Sequence, residues 1–139
     1  MRITLFSAEQ ATRLARELTP ELERLVRVRR YAVRVERQLE VMSLALAGAS
    51  ADNPDASEMR TLVERRQELA AQVRDGLRLI HDRGCIVKDL DRGLLDFYAL
   101  AGDRLVFLCW QLGEKEVSHW HTLAGGFSAR QPLDRSPLE

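Results

Sequence analysis

Two cysteines in 139 residues are too few for a disulfide framework. Both Cys85 and Cys109 stand among apolar neighbours, which marks them as reduced packing residues. Lysine is almost missing: of the 21 basic residues all but Lys88 and Lys115 are arginine. Acidic residues also number 21, so no excess of one sign points to nucleic acid or an anionic membrane surface. No apolar run approaches bilayer length. The N-terminal MRITLFSAEQ lacks the apolar core and cleavage site of a signal peptide, so the expected compartment is the cytoplasm. Nucleotide-binding loops are missing too, since no glycine-rich phosphate motif precedes a helical stretch. What remains is an ordinary balance for one globular domain spanning 1–139, 45% hydrophobic and 30% charged.

The first two-thirds reads as helix. Ile3–Phe6 is a short β-leaning run, an expected edge strand. Ser7-Ala-Glu-Gln10 is a capping box that starts a short helix to about Leu18. Thr19-Pro20 repeats the start signal, so either two helices meet there or one restarts. Beyond it Leu25, Ala32, Leu39 and Leu46 recur every seven residues, with Val28, Val35 and Met42 three after the first three. That is an a/d stripe with Arg and Glu on the remaining faces. Gly48–Pro54 is a loop by composition, and Asp55-x-x-Glu58 suggests a second capping box. The following helix carries Met59, Leu62, Leu69, Val73, Leu77 and Ile80 and ends near Arg83, before Gly84. Two long helices on a short loop lie antiparallel.

After Gly84 the period shortens to that of strands. Cys85–Leu90, Leu94–Leu100 and Leu105–Leu112 are separated by turns at Asp91–Gly93 and Ala101–Asp103, which implies an antiparallel meander. Leu105–Trp110 has no polar alternation and belongs in the centre, covered on both faces. Val117–Leu123 reads as a fourth strand or a short helix, and 124–139 as an irregular tail. The expected fold is α+β: a long antiparallel helical hairpin with a short N-terminal helix (about 7–83) on a small β-meander (about 85–123).

Several strings are shared with one family. They are Phe6-Ser-x-Glu-Gln-Ala11, Lys88-Asp-Leu90, Gly93-Leu-Leu-Asp-Phe97, Leu108-Cys-Trp110, Gly113-Glu114, Trp120-His121, Gly126-Phe127 and Arg130-Gln-Pro-Leu133. On these the chain resembles the domain of unknown function 2203 family of small bacterial and archaeal proteins. The resemblance implies one cytoplasmic domain and transfers no catalytic residue.

The sharpest chemistry lies in Glu114-Lys-Glu-Val-Ser-His-Trp-His121. On a strand, His119 and His121 share a face. With Glu116, and with Glu114 or Asp96 (or Asp89) assisting, they would form a two-histidine, one-carboxylate set for Zn, Fe, Mn or Cu. On a helix, residues two apart diverge and that set fails. The blander alternative pairs His121 with a neighbouring carboxylate, packs Trp120 and leaves His119 exposed. Asp96, between Leu95 and Phe97, must be paired if buried; Arg92, Arg104 and a backbone amide are the expected partners. Cys109 beside Trp110 could face His121 as a nucleophile, but no activating cation or helix N-terminus is visible, so packing is preferred. Arg24, Arg27, Arg30, Arg34 and Arg37 form a basic face interleaved with Glu21, Glu23, Glu36 and Glu40, which favours a solvated, salt-bridged surface. The preferred reading is a structural or interaction protein without catalysis of its own. It would be homodimeric through the hairpin, with no nucleic acid or membrane partner and with a protein partner as a further expectation. The alternative is a metal-binding protein or metalloenzyme built on the His-x-His segment.

Overall fold

The computed structural model describes residues 2–48 and 53–133. The expected loop residues 49–52 and the tail beyond 133 lie outside them. Helix α1 runs Ala8–Ala45, α2 Pro54–His81, and the strands are β1 Ile86–Asp89, β2 Leu94–Ala101, β3 Arg104–Gln111, β4 His119–Thr122 and β5 Gln131–Pro132. A single 3-10 turn, Phe127–Ala129, precedes the last strand. The five strands form one antiparallel sheet in sequence order, an α+β fold with β3 at its centre. Among the described residues no helix is long and apolar enough to cross a membrane.

The capping box at the start of α1 is closed in both directions, Gln10 N to Ser7 Oγ at 3.1 Å and Ser7 N to Gln10 Oε1 at 2.9 Å. The second start signal starts nothing. Thr19 Oγ1 turns back onto the Ala15 carbonyl at 2.8 Å, and Pro20 lies inside one continuous 38-residue helix. Pro20 has no N–H to give the Arg16 carbonyl, but it is exposed. Leu14, Leu18, Leu22 and Leu25 on the inner face are all buried, so packing carries the helix through. Helix α2 begins earlier than the Asp55-Glu58 pattern suggests: Asn53 is the cap, accepting from Asp55 N at 2.8 Å, with Pro54 in the first turn.

Gly76 of α2 sits directly against the Leu25 side chain of α1. A Cβ there would collide with Leu25 Cδ2 and stand 2.9 Å from Leu25 Cγ. The glycine that weakens α2 in isolation is what lets a fully buried Leu25 seat against it.

One sheet face meets the helices. Leu95, Phe97, Ala99, Val106, Leu108 and Trp110 join Leu14, Leu18, Leu22, Leu25 and Ile80 in the main core. A second, smaller cluster of Val35, Leu39 and Leu69, with Val28, Ala32, Met59, Leu62 and Val63 around it, is built from hairpin residues alone. The N-terminal run Ile3–Phe6 is not a strand. It makes one backbone bond to the sheet, Phe6 N to the Tyr98 carbonyl at 2.8 Å, and sets the Phe6 ring edge-on to Phe97.

Candidate metal centre

Strand pairing decides which polar side chains meet. The tight turn at Gly102-Asp103, with Gly102 at φ 65°, pairs Ala101 with Arg104 and thereby sets Asp96 opposite Cys109. On its other side β3 pairs Cys109 with His119 and Phe107 with His121. The segment Val117–Leu123, left open as strand or helix, therefore contains a strand, and His119 and His121 lie on the sheet face away from the helices, as do Asp96, Tyr98, Phe107 and Cys109.

On that face three donors converge. Asp96, Cys109 and His121 are each 1% exposed, and one ligand atom from each lies within 4.8 Å of the others. The imidazole reaches across β3: His121 Nε2 stands 3.2 Å from Asp96 Oδ1. Its other nitrogen, Nδ1, is 2.7 Å from the Thr122 carbonyl. A carbonyl only accepts, so Nδ1 carries the hydrogen and donates it. A hydrogen or a cation held between Nε2 and Oδ1 joins the ring to the carboxyl. The second oxygen, Asp96 Oδ2, is buried without a hydrogen-bond partner among the described residues.

Electrostatics follow from burial. Loss of solvent pushes the Asp96 carboxyl above its ordinary range, and the nearby His121, the Lys88 charge and a hydrogen bond with the Cys109 thiol only partly oppose it. The Cys109 thiol is pushed up to about 12, first by burial and then by the Asp96 charge, so it is no nucleophile at neutral pH. The expected partners of Asp96 were Arg92, Arg104 or a backbone amide; the partner is His121. Arg92 instead lies near Asp89 and over the Phe127 ring.

The remaining site residues of the His-x-His segment go elsewhere. His119 is half-buried rather than exposed, and its Nδ1 accepts from Arg130 Nη2 at 2.7 Å beside Ser118 Oγ at 3.1 Å. The same Arg130 nitrogen donates to both Glu114 oxygens, at 3.0 and 2.9 Å, while Glu114 Oε1 also accepts from Gln111 N. Glu114 is thus committed to Arg130. Glu116 is exposed in the loop before β4. That loop is tied to α1 by Val117 N to Thr12 Oγ1 at 3.0 Å, and Glu116 borders a cleft with Thr12, Arg13 and Arg16. Of the sequence candidates, the geometry brings together Asp96 and His121, and adds Cys109.

A family model described as uncharacterized conserved protein (DUF2203) matches residues 4–133. The chain belongs to the DUF2203 family. The match takes in every strand and all three convergent donors, and it bears out the resemblance carried by the Gly93–Phe97, Leu108–Trp110 and Trp120-His121 strings. No curated protein and no solved structure matches this DUF2203 chain.

Proposed function

We propose that this protein binds one divalent metal ion of the zinc class through Asp96, Cys109 and His121 Nε2. One observation carries the reading: the Thr122 carbonyl takes the Nδ1 hydrogen of His121, leaving Nε2 aimed at a carboxylate with a thiol beside both. Metal-bound histidines commonly donate their second nitrogen to a backbone carbonyl in this way. A shared proton could also sit between Nε2 and Oδ1. It would leave the rest of the buried carboxyl, including Asp96 Oδ2, to the Cys109 thiol, a weak donor. An ion instead engages the carboxylate and the sulfur together. Bonds of roughly 2.0–2.3 Å need only small adjustments of donors already this close. Thiolate with imidazole favours zinc over manganese among the metals considered. The burial of all three donors suits retention of an ion more than turnover of an open substrate.

The test is elemental analysis by plasma mass spectrometry of tag-free protein refolded with Zn²⁺, beside Cys109→Ser, His121→Ala and His119→Ala. Near-stoichiometric zinc in wild type and in His119→Ala, lost from the other two, is the expected result. Far-ultraviolet circular dichroism controls for unfolding, and Co²⁺ loading reads the thiolate directly through its charge-transfer band, present in wild type and missing in Cys109→Ser. A wild type that stays metal-free with Zn, Fe, Mn and Cu overturns the reading. So does a folded Cys109→Ser or His121→Ala that keeps its ion.

A further inference from the structure

Three strings of the sequence lie outside the proposed metal site: Gly113-Glu114, Gly126-Phe127 and Arg130-Gln-Pro-Leu133. The fold gathers them around one guanidinium. Pairing of His119 with Pro132, and the bond from Leu133 N to the Ser118 carbonyl at 3.0 Å, lay β5 along β4 and hold Arg130 beside it. The Arg130 side chain is only 12% exposed. A guanidinium has five N–H donors, yet every side-chain hydrogen bond of Arg130 among the described residues leaves from Nη2. Nε is buried with no partner among them. Glu114 does not supply one, since both its oxygens lie on Nη2 and Oε1 is shared with Gln111 N at 2.7 Å. Nor does His119: a guanidinium only donates, so Nδ1 accepts from Nη2 and the ring is neutral. A buried donor left over in this way calls for a bound water or ion. The surrounding charge favours the ion. The guanidinium carbons of Arg92 and Arg130 lie 5.6 and 4.7 Å from the centroid of one ring, Phe127. Arg92 is 59% exposed and its ion pair with Asp89, at 3.9 Å, is weak. Two like charges are thus brought to one ring, with an unmet donor on the buried one.

We propose that Arg130 and Arg92 form a binding site for a small oxyanion, a carboxylate or a phosphate group. One oxygen accepts from Arg130 Nε, the donor that Glu114 and His119 leave over, and the mobile end of Arg92 turns onto the same anion. Glu114 and His119 are positioning residues here. By holding Nη2 they fix the guanidinium plane, so Nε is aimed before any ligand arrives and little ordering remains to be done on binding. Phe127 contributes cation–π contact to both guanidiniums. Glu114 already offsets one positive charge, which keeps the affinity modest. The site adjoins the three metal donors without sharing a residue with them: His119, which Arg130 holds, is the cross-strand neighbour of Cys109. It therefore stands apart from the metal reading.

The test is a titration of metal-free protein with inorganic phosphate and, separately, with acetate, at constant ionic strength set by chloride. Binding is read by proton–nitrogen NMR at the Arg130 Nε–H resonance, assigned by its loss in Arg130→Lys, and at the neighbouring backbone amides. A saturable shift is expected, with a Kd of about 1 mM for the better anion. Arg130→Lys keeps the positive charge but has no Nε–H, and should weaken binding about tenfold. Arg92→Ala, at an exposed position, should weaken it about threefold or more with unchanged circular dichroism. Tighter phosphate marks the site as one for phosphorylated ligands, and tighter acetate as one for carboxylates. No saturable shift with either anion up to about 100 mM overturns the proposal and leaves Nε to a water molecule. So does a shift that chloride alone reproduces, or binding that either folded variant leaves unchanged. Should Arg130→Lys fail to fold, the wild-type titration and Arg92→Ala decide the matter. Because no metal ion is present in these samples, failure of the anion site and failure of the metal site are told apart.

Discussion

His121 Nε2 lies 3.2 Å from Asp96 Oδ1, although the two residues belong to β4 and β2 with the whole of β3 between them. Both side chains are 1% exposed, and Cys109 on the intervening strand completes the cluster. The pair is thus a polar bridge across the sheet, on the face away from the helical core.

Breaking one side of that bridge should cost much more than removing both. In metal-free protein, His121→Leu takes from the buried Asp96 carboxyl its imidazole partner, and a loss of about 3–5 kcal/mol is expected in urea unfolding. Asp96→Leu with His121→Leu should cost less than the sum of the single changes, because no orphan remains. Strict additivity would show that the two side chains are not coupled.

At Gly76 two effects oppose each other. Alanine should favour the helix by about 1 kcal/mol, but its Cβ would collide with Leu25, which is fully buried. The clash should win, with Gly76→Ala less stable by about 1–3 kcal/mol. Leu25→Ala in that background should cost less than Leu25→Ala alone, for which about 2–5 kcal/mol is expected. A Gly76→Ala protein melting above wild type would show that the helices can separate freely.

Two hydroxyls with the same local pattern should behave differently. Ser7→Ala removes a closed capping box and should cost about 1 kcal/mol. Thr19→Ala removes only a bond back to the Ala15 carbonyl within a continuous helix, and should stay within about 0.5 kcal/mol of wild type. Equal losses would contradict the unbroken helix.

Cys85, fully buried, has its thiol pushed up from 9.0 to about 11, mainly by burial. The folded pKa exceeds the unfolded one, so the thiol's contribution is whole below pH 9 and declines as pH rises through about 11. Roughly 2–3 kcal/mol of stability should drain away across that window. Unfolding free energies measured from pH 8 to 11 should fall more steeply in wild type than in Cys85→Ala. Parallel profiles would mean the thiol is not the titrating group.

Much of this architecture is written in local pattern. The Ser7 capping box, the heptad run from Leu25, the Gly84 punctuation and the apolar run through Val106–Trp110 specify helices and strands by residue-to-residue spacing. The helix that continues through Thr19-Pro20 shows where local signals lose: burial of Leu14, Leu18, Leu22 and Leu25 on one face outweighs one missing hydrogen bond. The glycine at 76 likewise looks like a flaw until Leu25 is seen in its place.

The candidate site divides the same way. Asp96 within an apolar strand and the His-x-His pattern were visible as anomalies, because a buried charge demands a partner wherever it lies. The Gly102-Asp103 turn also held the register that faces Asp96 with Cys109, since a tight turn between adjacent strands dictates every pair above it. The sequence held Asp96 as one of several acids able to join His121, and that Asp96 is the one was not legible. It depends on how the 112–118 loop, tied to α1 through Thr12, brings β4 alongside β3, and on which of two neighbouring histidines Arg130 occupies. Sequence by itself determined the elements and the presence of an unpaired buried acid; only the tertiary structure chose its partner, because contacts two strands apart are set by packing and not by spacing along the chain.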